Sequence, residues 1–145
     1  MTEAQWVQAL ADKTTRLDAM RALVGGVTST ELKSVRVSDT VLRALSDGVA
    51  DSDPRVRWWS IQLLDHVADP RSVQAIVPAL HDPVPRVRRN AAHALGCVNC
   101  KPAWDGRLPS DAHATLAALA ASDPNAKVRR VAQWALACRA APSRA

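Results

Sequence analysis

Apolar residues fall into a helical rhythm over much of the chain. After Val56 they continue as Trp59, Ser60, Leu63, Leu64 and Val67; after Val87 as Asn90, Ala91, Ala94, Leu95 and Val98; after Val128 as Val131, Ala132, Ala135 and Leu136. Positions i, i+3, i+4, i+7 and i+8 lie on one side of an α-helix, so each run predicts a helix with one buried face. Further helices are predicted over Glu3 to Ala11, Thr15 to Val24 (stopped by Gly25-Gly26), Asp39 to Val49, Arg71 to Leu80 and Ser110 to Ala121. No stretch alternates as a strand does.

The three long runs also share an opening. Asp53-Pro54-Arg55-Val56-Arg57, Asp82-Pro83-Val84-Pro85-Arg86-Val87-Arg88 and Asp123-Pro124-Asn125-Ala126-Lys127-Val128-Arg129 align on their Val at intervals of 31 and 41 residues. Anchored on Asp-Pro, the first copy is two residues shorter than the others. Asp can cap a helix start, and Pro supplies a fixed φ where its missing N–H costs nothing. A repeated pair of helices is the sequence mark of a solenoid.

Helix pairs that begin Asp-Pro-x-x-x-Val-Arg resemble the HEAT family, in its short bacterial form, the phycobilisome-lyase-type HEAT-like repeat. The resemblance covers about Asp39 to Arg139 and implies an all-α fold: a short right-handed α-solenoid of HEAT-like helix pairs with an N-terminal helical cap. One domain is expected over residues 1–139, with a helical cap or atypical repeat over 1–50, repeats over 51–139, an insertion at about 97–109 and a frayed tail at 140–145. Scaffolds, regulators, bilin-attaching lyases and alkylpurine DNA glycosylases all use such repeats, so the fold leaves function open. The resemblance also implies a structural ladder between repeats, for which Asp53, Arg57, Asp82, Arg88, Asp123 and Arg129 are the candidates. Physics agrees, because an Arg one position from a buried Val needs a carboxylate or carbonyl partner.

Composition fits that picture. Of 145 residues 27 are Ala, 48% are hydrophobic, and the only aromatic residues are five Trp. Helices rich in Ala can approach closely, whereas such a chain suits sheets poorly. No apolar run approaches the roughly 20 residues that cross a bilayer, and the start lacks the pattern of a secretory signal, so a cytoplasmic protein without membrane contact is expected. The net charge of +5 permits an acidic partner.

The second helical stripe carries the candidate chemistry. It reads Arg55, Trp58, Gln62 and His66 in the first copy, Arg86, Arg89, His93 and Cys97 in the second, and Lys127, Arg130, Trp134 and Cys138 in the third. Equivalent positions of stacked repeats lie roughly 10 Å apart, so these residues form a grid. Its cations sit near helix N-termini, where the macrodipole disfavours them and an anionic ligand would relieve the penalty. Arg55, Trp58, Arg86, Arg89, His93, Lys127, Arg130 and Trp134 are therefore the expected binding residues, most simply for an acidic protein. Nucleic acid is the alternative, with the cations on phosphates and Trp58 or Trp134 stacked on bases. A solvated face is the third reading.

Three Cys remain. Cys97-Val98-Asn99-Cys100 closes the second repeat helix, Cys138 occupies the same slot one repeat on, and His93 precedes Cys97 by one turn. Cys97, Cys100, Cys138 and His93 would make a Cys₃His set for structural zinc. Small-residue packing by Cys97 and Cys138, or a Cys97–Cys100 redox pair, would account for the same residues. No other cofactor is implied. Phosphate loops, serine elbows and metal-protease motifs are missing. The nearest approach to an enzyme is Asp65 one turn-pair after Trp58, as on a glycosylase face, but Asp65 is expected to face water. A non-enzymatic binding scaffold is thus the reading the sequence favours.

Overall fold

The structure is a computed structural model that describes residues 3–26, 38–97 and 108–140. Its elements are α1 (Glu3–Ala11), α2 (Arg16–Gly26), α3 (Asp39–Gly48), α4 (Pro54–Val67), α5 (Val73–Ile76) between the 3₁₀ turns Pro70–Ser72 and Val77–His81, α6 (Pro85–Gly96), α7 (Ser110–Ser122) and α8 (Ala126–Ala140). No strand occurs among the described residues. The second helices stack in the order α2, α4, α6, α8, and the first helices α1, α3, the 70–81 run and α7 stack alongside them. The described residues form an α-solenoid of four helix pairs. Among the described residues no helix is long and apolar enough to cross a membrane.

Local chemistry sets the helix starts. Asp53 accepts the Arg55 N–H at 2.8 Å ahead of Pro54, and Ser38 accepts the Val41 N–H ahead of α3. Helix α4 ends on Ala68, whose φ of 56° lies in the left-handed region that a glycine would enter without penalty.

Two expectations change here. Arg71 to Leu80 is not one continuous helix but a 3₁₀–α–3₁₀ run, because Pro78 has no N–H to donate and its ring crowds the preceding turn. Helix α3 packs against α4 and α1. Helix α2 also runs through Gly25-Gly26 instead of stopping before them.

The core follows the Ala-rich composition. Ala91, Ala92, Ala94, Ala112, Ala132 and Ala135 are fully buried beside Ile61, Leu64, Ile76, Leu80, Leu95 and Leu116. Helices α6 and α8 approach closely: a Cβ on Gly96 would lie 2.6 Å from the Ala135 Cα. Only a glycine fits against that backbone.

Candidate functional site: two edges of the repeat helices

Each second helix presents a buried polar edge and an open cationic edge. On the buried edge, Arg57 donates Nε and Nη2 to the two Asp82 oxygens at 2.6 and 3.0 Å, and Arg88 does the same to Asp123 at 2.8 and 3.0 Å. Every group in these two pairs is close to fully buried, with side-chain exposures of 12% or less. The third guanidinium nitrogen bonds the turn that precedes its own helix: Arg57 to the Asp51 carbonyl at 2.9 Å, Arg88 to the Asp82 carbonyl at 2.7 Å. Arg129 repeats the pattern with the Asp123 carbonyl at 2.6 Å. Burial alone would push the Asp123 carboxyl up; the Arg88 guanidinium, the Asn125 N–H and the nearby Arg129 charge outweigh it and hold the group below its ordinary 3.8.

The ladder contains a residue that alignment on Asp-Pro misplaces. Asp53 takes no part; it pairs with Arg55 at 2.8 Å on the exposed side. Its expected position is held by Asp51, which accepts an ion pair from Arg16 of the preceding helix pair. Asp51 accepts the Asp53 N–H at 2.8 Å, just as Asp82 accepts that of Val84 and Asp123 that of Asn125. In all three copies the ladder Asp precedes the ladder Arg by six residues. The first copy is therefore not shorter; its Asp-Pro is an extra cap inside the same turn.

The open edge holds the cationic grid. Arg86 lies over the Trp58 ring, 4.5 Å from its centre, and Trp58 meets Trp59 edge-on at 4.8 Å. Asn90 donates to the Trp58 carbonyl at 2.9 Å. Trp58 is consequently partly buried and packed, not the free ring that its stripe position suggests. Trp134 is 40% exposed, the one strongly exposed large apolar side chain among the described residues. It stacks on His93 with ring centres 5.1 Å apart and planes 8° from parallel.

His93 in turn faces Asp65 across α4 and α6, Nδ1 to Oδ2 at 3.5 Å. Asp65 is buried, not water-facing, because the α4–α6 packing turns its side chain toward the His93 ring. His66 points its Nδ1 at the Gln62 carbonyl of its own helix, 2.7 Å away.

Pro85, Arg86, Arg89, Asn125 and Lys127 line a shallow open pocket of ≈ 300 Å³ between the starts of α6 and α8. Three cations converge there, and among the described residues no carboxylate lines it. Arg130 is exposed farther along α8, whereas the charge of Arg55 is already matched by Asp53. Because the N-terminal ends of both helices add positive potential, the pocket suits an anionic group.

The lower end of the grid holds two of the three Cys. Cys97 is buried at the end of α6 and Cys138 is half-buried; both are free thiols. Arg139, which the sequence patterns do not single out, donates Nε to the Leu95 carbonyl at 2.8 Å and closes the end of α6. Burial pushes the Arg139 guanidinium below its ordinary value, opposed by the adjacent Cys97 and Cys138. His93 is engaged with Trp134 and Asp65. Among the described residues no three His, Cys, Asp or Glu side chains come together to hold a metal. Cys100 and Trp104 lie outside the described residues.

A family model for HEAT repeats matches residues 39–137. The chain belongs to the HEAT-repeat family. Among solved structures it is similar to the crystal structure of an engineered protein from the Northeast Structural Genomics Consortium, at a TM-score of 0.73 and 21% identity. That likeness covers 96% of this chain and 63% of the engineered one, so the HEAT chain spans less than two thirds of its neighbour. No curated protein matches the chain.

Proposed function

We propose that this HEAT-repeat chain is a non-enzymatic docking scaffold, cytoplasmic, that holds an acidic segment of a partner protein along its open edge. The observation that carries the reading is the pocket in which Arg86, Arg89 and Lys127 meet with no carboxylate among its lining. Carboxylates of the partner take that pocket, where planar guanidinium groups can bind them through paired hydrogen bonds. Trp134 supplies an apolar anchor about two turns beyond Lys127 on α8, braced by its stack on His93. Arg and Trp are the residue types that dominate interface energies.

Nucleic acid would stack a base on Trp58 or Trp134, and the Trp58 ring already carries Arg86, which leaves Trp134 for that role. The deciding experiment compares a labelled Glu/Asp-rich peptide with a labelled DNA duplex by fluorescence anisotropy, for the wild type and for Arg89→Glu, Lys127→Glu. The peptide is expected to bind the wild type and to lose about tenfold or more in affinity to the double variant, a change of about 1.4 kcal/mol per decade. Duplex binding that falls steeply with salt, with no peptide binding, would replace this reading by the nucleic-acid one. Equal peptide binding by both proteins would remove the open edge from consideration.

A further inference from the structure

The pocket lined by Arg86, Arg89 and Lys127 gathers more charge than one carboxylate neutralises. Among the described residues none of these three side chains makes a hydrogen bond or an ion pair. Arg86 is held over the Trp58 ring, a contact that steadies the guanidinium without giving it an acceptor. The repeat shows why the charge is unmatched. Arg55, the counterpart of Arg86 and Lys127 in the first copy, pairs with Asp53 two residues before it. Val84 and Asn125 stand at that place in the second and third copies. Asn125 still accepts the Lys127 N–H at 2.9 Å but brings no charge. The Val84 side chain accepts nothing, so the Arg86 N–H lacks the side-chain acceptor that Arg55 has in Asp53.

A carboxylate brings one charge and two oxygens. A phosphorylated Ser or Thr brings about −1.5 to −2 and three acceptor oxygens, one for each converging cation. Distance adds a second determinant. Trp134 follows Lys127 by seven residues, about 10 Å along α8, which an extended chain covers in about three residues. Arg130 is exposed between them, and the Trp134 ring is 40% exposed. We propose that the partner segment is a phosphopeptide: a phosphorylated Ser or Thr seats its phosphoryl group among Arg86, Arg89 and Lys127, and an apolar residue about three positions away packs on Trp134. The inference rests on the docking reading and names the partner's chemistry at the same pocket, with the phosphoryl group in place of a carboxylate.

The test is fluorescence anisotropy with three labelled peptides of one Asp-containing sequence, Leu standing three positions to either side of a central residue that is phosphoserine, Ser or Glu. The phosphoserine peptide is expected to bind the wild type about tenfold or more tighter than the Glu peptide, and the Ser peptide most weakly. In Arg89→Gln, Lys127→Gln, checked for fold by circular dichroism beside Lys127→Gln alone, the advantage of phosphoserine over Glu is expected to shrink to about twofold or less. Trp134→Ala is expected to weaken the phosphoserine peptide, and to change little once both Leu are replaced by Ser. Equal binding of the phosphoserine and Glu peptides, each weakened by the double variant, would overturn the phosphate inference and leave the docking reading standing; no binding of any peptide would end both. A phosphoserine advantage that survives both variants, or a DNA duplex that binds more tightly than the phosphopeptide at physiological salt, would also overturn the proposal.

Discussion

Arg88 and Arg89 are neighbours in sequence, of one residue type and on one helix, and they do opposite things. Arg88 keeps only 11% of its side chain exposed, with both carboxylate oxygens of Asp123 and a turn carbonyl as partners. Arg89 faces a pocket with Arg86 and Lys127 and no acid. The helix turns by about 100° per residue, and that step carries a side chain from an interface between repeats to an open edge. Type and position in a motif therefore do not assign a role to an Arg here; its partners do. A buried, fully bonded pair fixes how one repeat sits on the next, while cations gathered without counter-charge remain available to something else.

The contrast can be broken most strongly from the buried side. Asp123→Ala leaves the Arg88 guanidinium without its carboxylate, and an uncompensated buried charge costs about 3–5 kcal/mol; urea unfolding is expected to show a loss of that order. Acid titration is a gentler route to the same group. Because the Asp123 carboxyl is held below its ordinary 3.8 in the fold, its contribution is complete at neutral pH and is lost as the pH falls through 3.8 toward the depressed value. The acid limb of stability against pH is accordingly expected to be steeper for the wild type than for Asp123→Ala. Asp53→Ala removes a helix cap and an exposed pair but no rung, so a loss of about 1 kcal/mol is expected. A larger loss for Asp53→Ala than for Asp51→Ala would put the ladder back where Asp-Pro alignment places it.

Much of this was legible in the sequence, for identifiable reasons. A period of 3.6 residues and a repeated opening specify stacked helix pairs, because each pair must bury its apolar face on the next. Asp82, Arg88 and Asp123 could be placed for the same reason. Asp51 could not, since Asp53-Pro54 and Asp82-Pro83 are the same words used for different purposes. Counting six residues back from each ladder Arg would have found Asp51, because that spacing lets a guanidinium reach its own turn's carbonyl. Pro78 was a readable warning of the broken 70–81 run. Asp65 and Arg139 were less accessible: their partners, His93 and the Leu95 carbonyl, lie on other helices, and only the packing between helices brings them together. Trp58 was readable as a stripe residue but not as a partner for Arg86.

The most direct measurement compares Arg88→Ala with Arg89→Ala in equilibrium urea unfolding, side by side under one set of conditions. Loss of the buried pair at Arg88 is expected to cost several kcal/mol, about 3–5, whereas loss of the open-edge cation at Arg89 is expected to stay within about 0.5 kcal/mol. Equal losses, or a greater loss at Arg89, would contradict the division of these helices into a structural edge and a binding edge.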